Sequence, residues 1–225
     1  MAKTKTTKRS KAARILIVDD HAMVRVGLTH WISRQPRLKV CGEAADEAEA
    51  LKQVDALSPD LVIVDISLQT GHGIDLIKRI KDRNDRVKML VFSMYNDSLY
   101  AERSLQAGAM GYVNKQEDPE TVIAAIRQVL GGDIYLSKQA TNHLLYRTVG
   151  RASQSAASAI ENLSTRELEV FELLGQGLTT RQIADKLHRS IHTIETHREH
   201  IKTKLKLKNS SELTRQAAQW VLENG

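Results

Sequence analysis

Three carboxylates, one hydroxyl and one ammonium stand at the ends of four short apolar runs. Ile15-Leu16-Ile17-Val18 stops at Asp19-Asp20, and Leu61-Val62-Ile63-Val64 stops at Asp65. Met89-Leu90-Val91-Phe92 stops at Ser93, and Met110-Gly111-Tyr112-Val113 leads through Asn114 to Lys115. Mg²⁺ takes oxygen ligands, one or two of them carboxylates, alongside phosphate oxygens and waters. An aspartate can attack a phosphoryl group and hold it as an acyl phosphate. The charge of that group then needs a metal on one side and a cation such as Lys115 on another. Ser93 can hydrogen-bond one of its oxygens. These residue types define a hard-cation site beside a carboxylate nucleophile, provided the chain brings them together.

The elements that must do so are legible as a pattern. Continuous apolar runs alternating with helical periodicity are what parallel strands buried on both faces look like. Open parallel sheets gather their ligands at the carboxyl ends of the strands. The expectation is therefore an α/β, doubly wound parallel sheet with the five polar groups in one crevice. Taken singly, each group has a plainer reading. An Asp at a strand end is a turn former or helix cap, Ser93 can cap the helix starting near Asp97, and Tyr112 can be core packing. Their coincidence favours the site.

Residues 14 to 130 resemble the receiver domain of a two-component response regulator. The matching stretches are ILIVDDH (15–21), LVIVDISLQTGHGIDLIKRI (61–80), VFSMYND (91–97) and AGAMGYVNK (107–115). The resemblance implies a flavodoxin-like, five-stranded sheet with Asp65 as phosphoacceptor. Asp19, Asp20 and Asp65 would hold Mg²⁺ with the backbone carbonyl of Ser67. Ser93 would be the switch hydroxyl, Tyr112 the switch aromatic and Lys115 the phosphate-binding lysine. Two positions depart from the common pattern: Gln69, and Gln116 after Lys115, stand where receivers often carry proline.

Composition points to a cytoplasmic protein of two domains. At 225 residues the chain can bury a sizeable core. Cys41 is the single cysteine, which excludes an intramolecular disulfide framework and reads as a small core residue. No apolar stretch approaches the length of a membrane span, and the lysine-rich start lacks a secretory signal. The formal net charge of +6 is carried by Lys3, Lys5, Lys8, Arg9, Lys11 and Arg14, a stretch without an acid. The high pI therefore belongs to a basic, disordered tail (1–13) and is no argument for DNA binding. The tail is either simply solvated or a weak, non-specific phosphate contact.

A receiver over 14–131 is expected to give way to a linker over 132–162. That linker opens with a short helix around His143-Leu144-Leu145-Tyr146, and a flexible stretch from Gly150 follows. The region 163–225 is helical throughout. Ser164-Thr165-Arg166-Glu167 is a capping box, Gly175 and Gly177 end its helix, and Thr179-Thr180-Arg181-Gln182 is a second capping box. Ser190 caps a third helix running to about Leu205. A fourth, after Asn209, offers Leu213, Ala217, Trp220 and Val221 as a packing or dimer face. Two short helices joined by a tight turn form a helix-turn-helix.

Helical spacing decides which side of the third helix is free. Ile194, Ile201 and Leu205 share an inward face, opposite His192, Glu195, Thr196, Glu199 and Thr203, with Lys202 at the edge and Arg198 nearer the apolar stripe. The stretch 163–212 resembles the LuxR-type helix-turn-helix of NarL/FixJ response regulators. That implies a four-helix DNA-binding domain whose third helix enters the major groove. Glu195, Thr196 and Glu199 would lie over base edges with His192 beside them. Thr180, Arg181, Lys202, Lys204 and Lys206 would lie near phosphates. Two glutamates on the reading face repel the DNA backbone, so affinity must come largely from the lysines. His188, His192, His197 and His200 lack a third ligand at zinc-site spacing.

Together these readings imply a DNA-binding transcription regulator, not an enzyme, phosphorylated on Asp65 by a sensor histidine kinase. It would pair as a homodimer when phosphorylated, with the recognition helix partly masked before that. RNA polymerase is a further candidate partner, and no membrane contact is implied. One alternative is a regulator that uses its receiver as an interaction module without phosphorylation. Another is a receiver-fold phosphatase with a tethered helical module.

Overall fold

The computed structural model describes residues 11–95, 97–148, 159–160 and 162–224. Most of the expected basic tail and the flexible stretch around 150–158 lie outside them. The described residues form two compact units: those within 11–93 and 108–135, and those within 94–107 and 136–224.

The first unit is a five-stranded, wholly parallel sheet in the order β2-β1-β3-β4-β5. The strands are β1 (Ala13–Val18), β2 (Leu38–Ala44), β3 (Leu61–Val64), β4 (Lys88–Ser93) and β5 (Gly111–Asn114). Helices α1 (Ala22–Ser33), α2 (Glu47–Leu57), α3 (Gly73–Arg83) and α5 (Pro119–Gly131) belong to this unit, and α4 (Asp97–Ala107) does not. The doubly wound sheet expected from the sequence is therefore present.

Side chains alternate across a strand, and the core obeys that rule. Ile15 and Ile17, Leu61 and Ile63, Leu90 and Phe92 face one cluster with Leu28 and Ile32 of α1 and Val122, Ile126 and Val129 of α5. Their neighbours Leu16, Val18, Val62, Val64, Met89 and Val91 are equally buried, so the central strands are apolar on both faces. Local signals set the helix ends. Asp46 accepts the amide of Glu49 at the start of α2, and Asp118 accepts that of Thr121, with Pro119 in the first turn of α5. Gly132 closes α5 in the left-handed region. Tyr135 then adds a parallel bridge beside β5, so the first residues of the expected linker belong to the sheet unit. Cys41 is only half-buried, because β2 is an edge strand.

In the second unit α4 packs against α6 (Lys138–Thr148), the helix expected near His143. The four remaining helices are α7 (Thr165–Gly175), α8 (Thr180–Lys186), α9 (Ile191–Leu205) and α10 (Ser210–Asn224). Both capping boxes form, and Ser190 accepts the amide of Thr193. Leu213, Ala217 and Trp220 are buried against α7, with Trp220 6.0 Å from Phe171 between ring centres. These three residues serve the packing role open to that face.

Gly73 opens α3 under the loop that follows β3, where a Cβ would meet the Asp65 carbonyl oxygen and lie 2.7 Å from Ile66 Cα. Both obstacles are backbone and cannot swing aside. Gly73→Ala is expected to destabilise the sheet unit by about 3 kcal/mol, the upper end for overpacking, read as a lowered urea midpoint.

Candidate functional site

The sheet register brings the expected site together. The Asp65 amide donates to the Val18 carbonyl at 2.8 Å and the Lys115 amide to the Ser93 carbonyl at 2.8 Å. The Asp19 amide donates to the Ala44 carbonyl at 3.1 Å. Each polar residue is thus fixed by one more ladder-like hydrogen bond past the end of its strand. Asp19, Asp65 and Ser93 are 1%, 3% and 1% exposed.

At the centre lies the Lys115 ammonium, 2.7 Å from Asp19 Oδ2 and 2.7 Å from Asp65 Oδ2. Burial pushes the Asp65 carboxyl up to about 6; Lys115 opposes the shift, and Asp19 adds to it. Ser93 lies close enough to favour the ionised form. Burial alone would pull the Lys115 ammonium down, but Asp65 and Asp19 together raise it above its ordinary value. The second oxygen of Asp65, Oδ1, is buried without a hydrogen-bond partner among the described residues.

Ligand atoms of Asp19, Asp20, His21 and Asp65 lie within 4.8 Å of one another. Three carboxylates and an unengaged buried oxygen fit a hard divalent cation. His21 was not singled out from the sequence. Its Nδ1 sits 2.7 Å from Asp20 Oδ1 and its amide donates to Asp19 Oδ1, while its side chain is largely exposed. The only hint in the sequence was its position directly after the acid pair. Ser67 is half-buried in the loop after β3, and Tyr112 is buried on β5.

In the second unit a groove of about 470 Å³ gathers Thr180, His192, Glu195, Thr196, Arg198, Glu199 and Ser210. Five of these are residues expected to face DNA. His192, Glu195, Thr196 and Glu199 are exposed on α9, while Ile194 and Ile201 are fully buried beneath them. Arg198 donates to the Thr180 hydroxyl, which ties α8 to α9. Arg181 and Lys206 are exposed. The other cations are engaged: Lys202 pairs with Glu199 at 2.8 Å, and Lys204 reaches inward to Glu167 at 2.6 Å.

Glu167, expected only as part of a capping box, and Glu169 and Glu172, which the sequence did not single out, are all buried on α7. Their helical spacing mixes them with Leu168, Phe171 and Leu174, and nothing in the pattern flags three buried acids.

A buried acidic crevice at the strand ends of a parallel sheet, joined in one chain to a helix-turn-helix, defines a signal-receiving DNA-binding protein. Residues 15–127 match the response regulator receiver domain, and residues 161–217 match the bacterial regulatory proteins of the luxR family. Oxygen regulatory protein NreC of Staphylococcus aureus is 36% identical over 208 residues, covering 91% of this chain and 96% of that protein. RcsB of Salmonella enterica serovar Typhimurium, solved bound to promoter rprA with the phosphomimetic BeF3-, is 26% identical. It covers 92% of this chain and 99% of that one, with a TM-score of 0.63. A LuxR-family two-component response regulator from Aurantimonas sp. SI85-9A1 is 35% identical over 62% of this chain and 99% of its own, with a TM-score of 0.58. The chain belongs to the two-component response regulators of the NarL/FixJ type, with a receiver and a LuxR-type DNA-binding domain.

The two α9 lysines should separate experimentally. Lys204→Ala strips Glu167, 4% exposed, of its cation. Because Lys204 itself is partly exposed, the cost should be about 1 kcal/mol. Lys202→Ala removes only a surface pair and should be nearly neutral. Thermal unfolding of the two variants side by side checks the assignment; equal melting temperatures would contradict it.

Proposed function

We propose that Asp65 is the phosphoacceptor of a sensor histidine kinase and that its phosphorylation controls operator binding by the LuxR-type domain. The observation that carries this is the Lys115 ammonium lying 2.7 Å from both Asp65 and Asp19 at the strand ends. An Asp65 oxygen attacks the phosphorus of the kinase phosphohistidine. A P–O bond forms, the P–N bond breaks, and the departing imidazole nitrogen takes up a proton. Lys115, already aligned, moves its charge from carboxylate to phosphoryl oxygen. Ser93 donates its hydroxyl to a second phosphoryl oxygen, and Tyr112 follows into the space Ser93 leaves. Asp19, Asp20, Asp65 and the Ser67 carbonyl are the residues that would hold Mg²⁺. When bound, Mg²⁺ supplies positive charge to neutralise the transferring phosphoryl group.

In this reading the receiver spans 14–131 and the DNA-binding domain 163–225, with a tail over 1–13 and a linker over 132–162. Glu195, Thr196 and Glu199 read base edges with His192 beside them, while Thr180, Arg181, Lys202, Lys204 and Lys206 lie toward phosphates. The phosphorylated chain pairs as a homodimer on two half-sites, acts in the cytoplasm and performs no turnover of its own. No helix among the described residues is long and apolar enough to cross a membrane.

Incubation with acetyl phosphate and Mg²⁺ should add one phosphoryl mass to the wild type and none to Asp65→Asn; label retained by the variant would refute the acceptor. On DNA, Thr196→Ala or Glu199→Ala should change base preference at particular positions by about 1–3 kcal/mol. Lys206→Ala should weaken binding to all sequences alike and flatten its salt dependence. Unchanged selectivity in both reading-face variants would overturn the proposed orientation of α9.

A further inference from the structure

The residue that follows the acid pair breaks a local rule. His21 is the N-cap of α1, and its carbonyl accepts the amides of Val24 and Arg25. Caps favour Ser, Thr, Asp or Asn, whose side chains accept a hydrogen bond from the first helical amides. The His21 side chain makes no cap bond. It turns instead toward the carboxylates, with Nδ1 2.7 Å from Asp20 Oδ1 and 3.4 Å from Asp19 Oδ1. The backbone is fixed in that turn: the His21 amide donates to Asp19 Oδ1 at 2.8 Å, and Arg25 donates to the Asp19 carbonyl at 2.6 Å. Residues that break a helix-capping preference without a local gain are where function is expected.

We propose that His21 is itself a ligand of the cation site, placing one imidazole nitrogen among the carboxylate oxygens and favouring transition-metal ions such as Ni²⁺ over Mg²⁺. This rests on the cation site proposed above and adds to it a donor that an all-oxygen crevice lacks. A histidine that only oriented Asp20 would donate a hydrogen bond to it, as imidazoles behind metal ligands do. That bond is not made: Asp20 Oδ1 is buried with no hydrogen-bond partner among the described residues, although Nδ1 lies 2.7 Å away. A ring nitrogen and a carboxylate oxygen that close, without a hydrogen bond between them, are spaced as two ligands of one ion. Neighbouring ligands of an octahedral ion about 2.1 Å away lie about 3.0 Å apart. The two Nδ1 distances straddle that spacing.

The remaining oxygens agree. Lys115 takes Oδ2 of both Asp19 and Asp65. Asp65 Oδ1, on a residue 3% exposed, has no hydrogen-bond partner among the described residues. The oxygens left to a cation are therefore Asp65 Oδ1 and the two that Nδ1 approaches, and the four residues offer ligand atoms within 4.8 Å of one another. The His21 side chain is 67% exposed, so small adjustments of the ring displace water and no packed neighbour. Mg²⁺ is hard and gives up its waters reluctantly, so an imidazole adds little to its binding. Nickel-class ions bind imidazole well, and affinity rises from Mn²⁺ through Co²⁺ to Ni²⁺. His21 thus sets the selectivity of the crevice more than its affinity for Mg²⁺.

The test uses the full chain and three ions: Mn²⁺ as a spin probe, with Mg²⁺ and Ni²⁺ as competitors that displace it. Mn²⁺ bound to wild type should show nitrogen modulation in its electron spin echo, and His21→Ser should lose that signal. In competition, His21→Ser should weaken Ni²⁺ about tenfold and change Mg²⁺ less than twofold. Serine is a favoured cap, so this variant should melt no lower than wild type without added metal; a purely structural histidine predicts the reverse. Asp20→Ala serves as the control for the crevice and should lose Mn²⁺. If Asp20→Ala binds Mn²⁺ as wild type does, the cation site is wrong and His21 falls with it. If Asp20 is needed but the wild-type echo carries no nitrogen, or His21→Ser keeps its Ni²⁺ affinity, the ligand role is refuted and the cation site stands.

Discussion

One ammonium between two carboxylates holds the receiver crevice together. Asp19 and Asp65 are neighbouring carboxyls, almost wholly buried, and burial with Asp19 beside it pushes the Asp65 carboxyl upward. Lys115, 2.7 Å from each, opposes that rise. An arrangement of this kind gains little net stability, because desolvation offsets the Coulomb attraction. What it supplies is readiness for the proposed chemistry: a carboxylate, a counter-charge and further acidic oxygens fixed before any partner arrives. The whole sheet serves that arrangement, since β1, β3 and β5 must end in register for three side chains from distant parts of the chain to meet.

The same economy of buried charge recurs in the DNA-binding unit, with a different result. Helix α7 buries three glutamates, and each is matched by a group from elsewhere: Lys204 of α9 for Glu167, Tyr95 for Glu169, Tyr100 for Glu172. The first match is charged and local to the four-helix unit, so Glu167 is held below its ordinary value despite its burial. Glu169 takes both the Tyr95 hydroxyl and the Arg166 guanidinium. Burial and the neighbouring Glu169 push the Glu172 carboxyl upward against the Tyr100 hydroxyl and Lys186.

How much of this could be read from the residues follows from the range of the forces involved. The site at the strand ends was legible because apolar runs mark strands, parallel sheets align their carboxyl ends, and each polar residue is adjacent in sequence to its run. The capping boxes were legible because Ser164 with Glu167, and Thr179 with Gln182, interact three residues apart. The exposed face of α9 followed from a 3.6-residue period. What escaped depends on contacts between distant residues. Nothing near Asp97 says that α4 groups with the later helices, or that Tyr135 extends the sheet. The Lys204–Glu167 pair escaped because helical spacing gives a side chain's direction and not its partner, and Glu167 lies far back along the chain. His21 was hidden for another reason: an exposed histidine after an acid pair is common, and only the geometry brings its ring to Asp20.

The engaged lysines bear on how such a protein must bind DNA. In the proposed orientation Glu195 and Glu199 point the wrong charge at the duplex, and Lys202 and Lys204 exchange Glu199 and Glu167 for phosphates. The gain from counterion release by a single copy is therefore partly offset by its own broken ion pairs. Affinity for one half-site should be low and sensitive to salt, too low to compete with the mass of non-specific DNA. Two copies joined on adjacent half-sites add their contacts through a shared effective concentration, which can raise occupancy by orders of magnitude without a new contact. A weak reading head is thus what a switch needs. If one copy bound tightly alone, controlling the pairing or freeing of copies would change little, whereas a head too weak by itself makes occupancy follow the receiver.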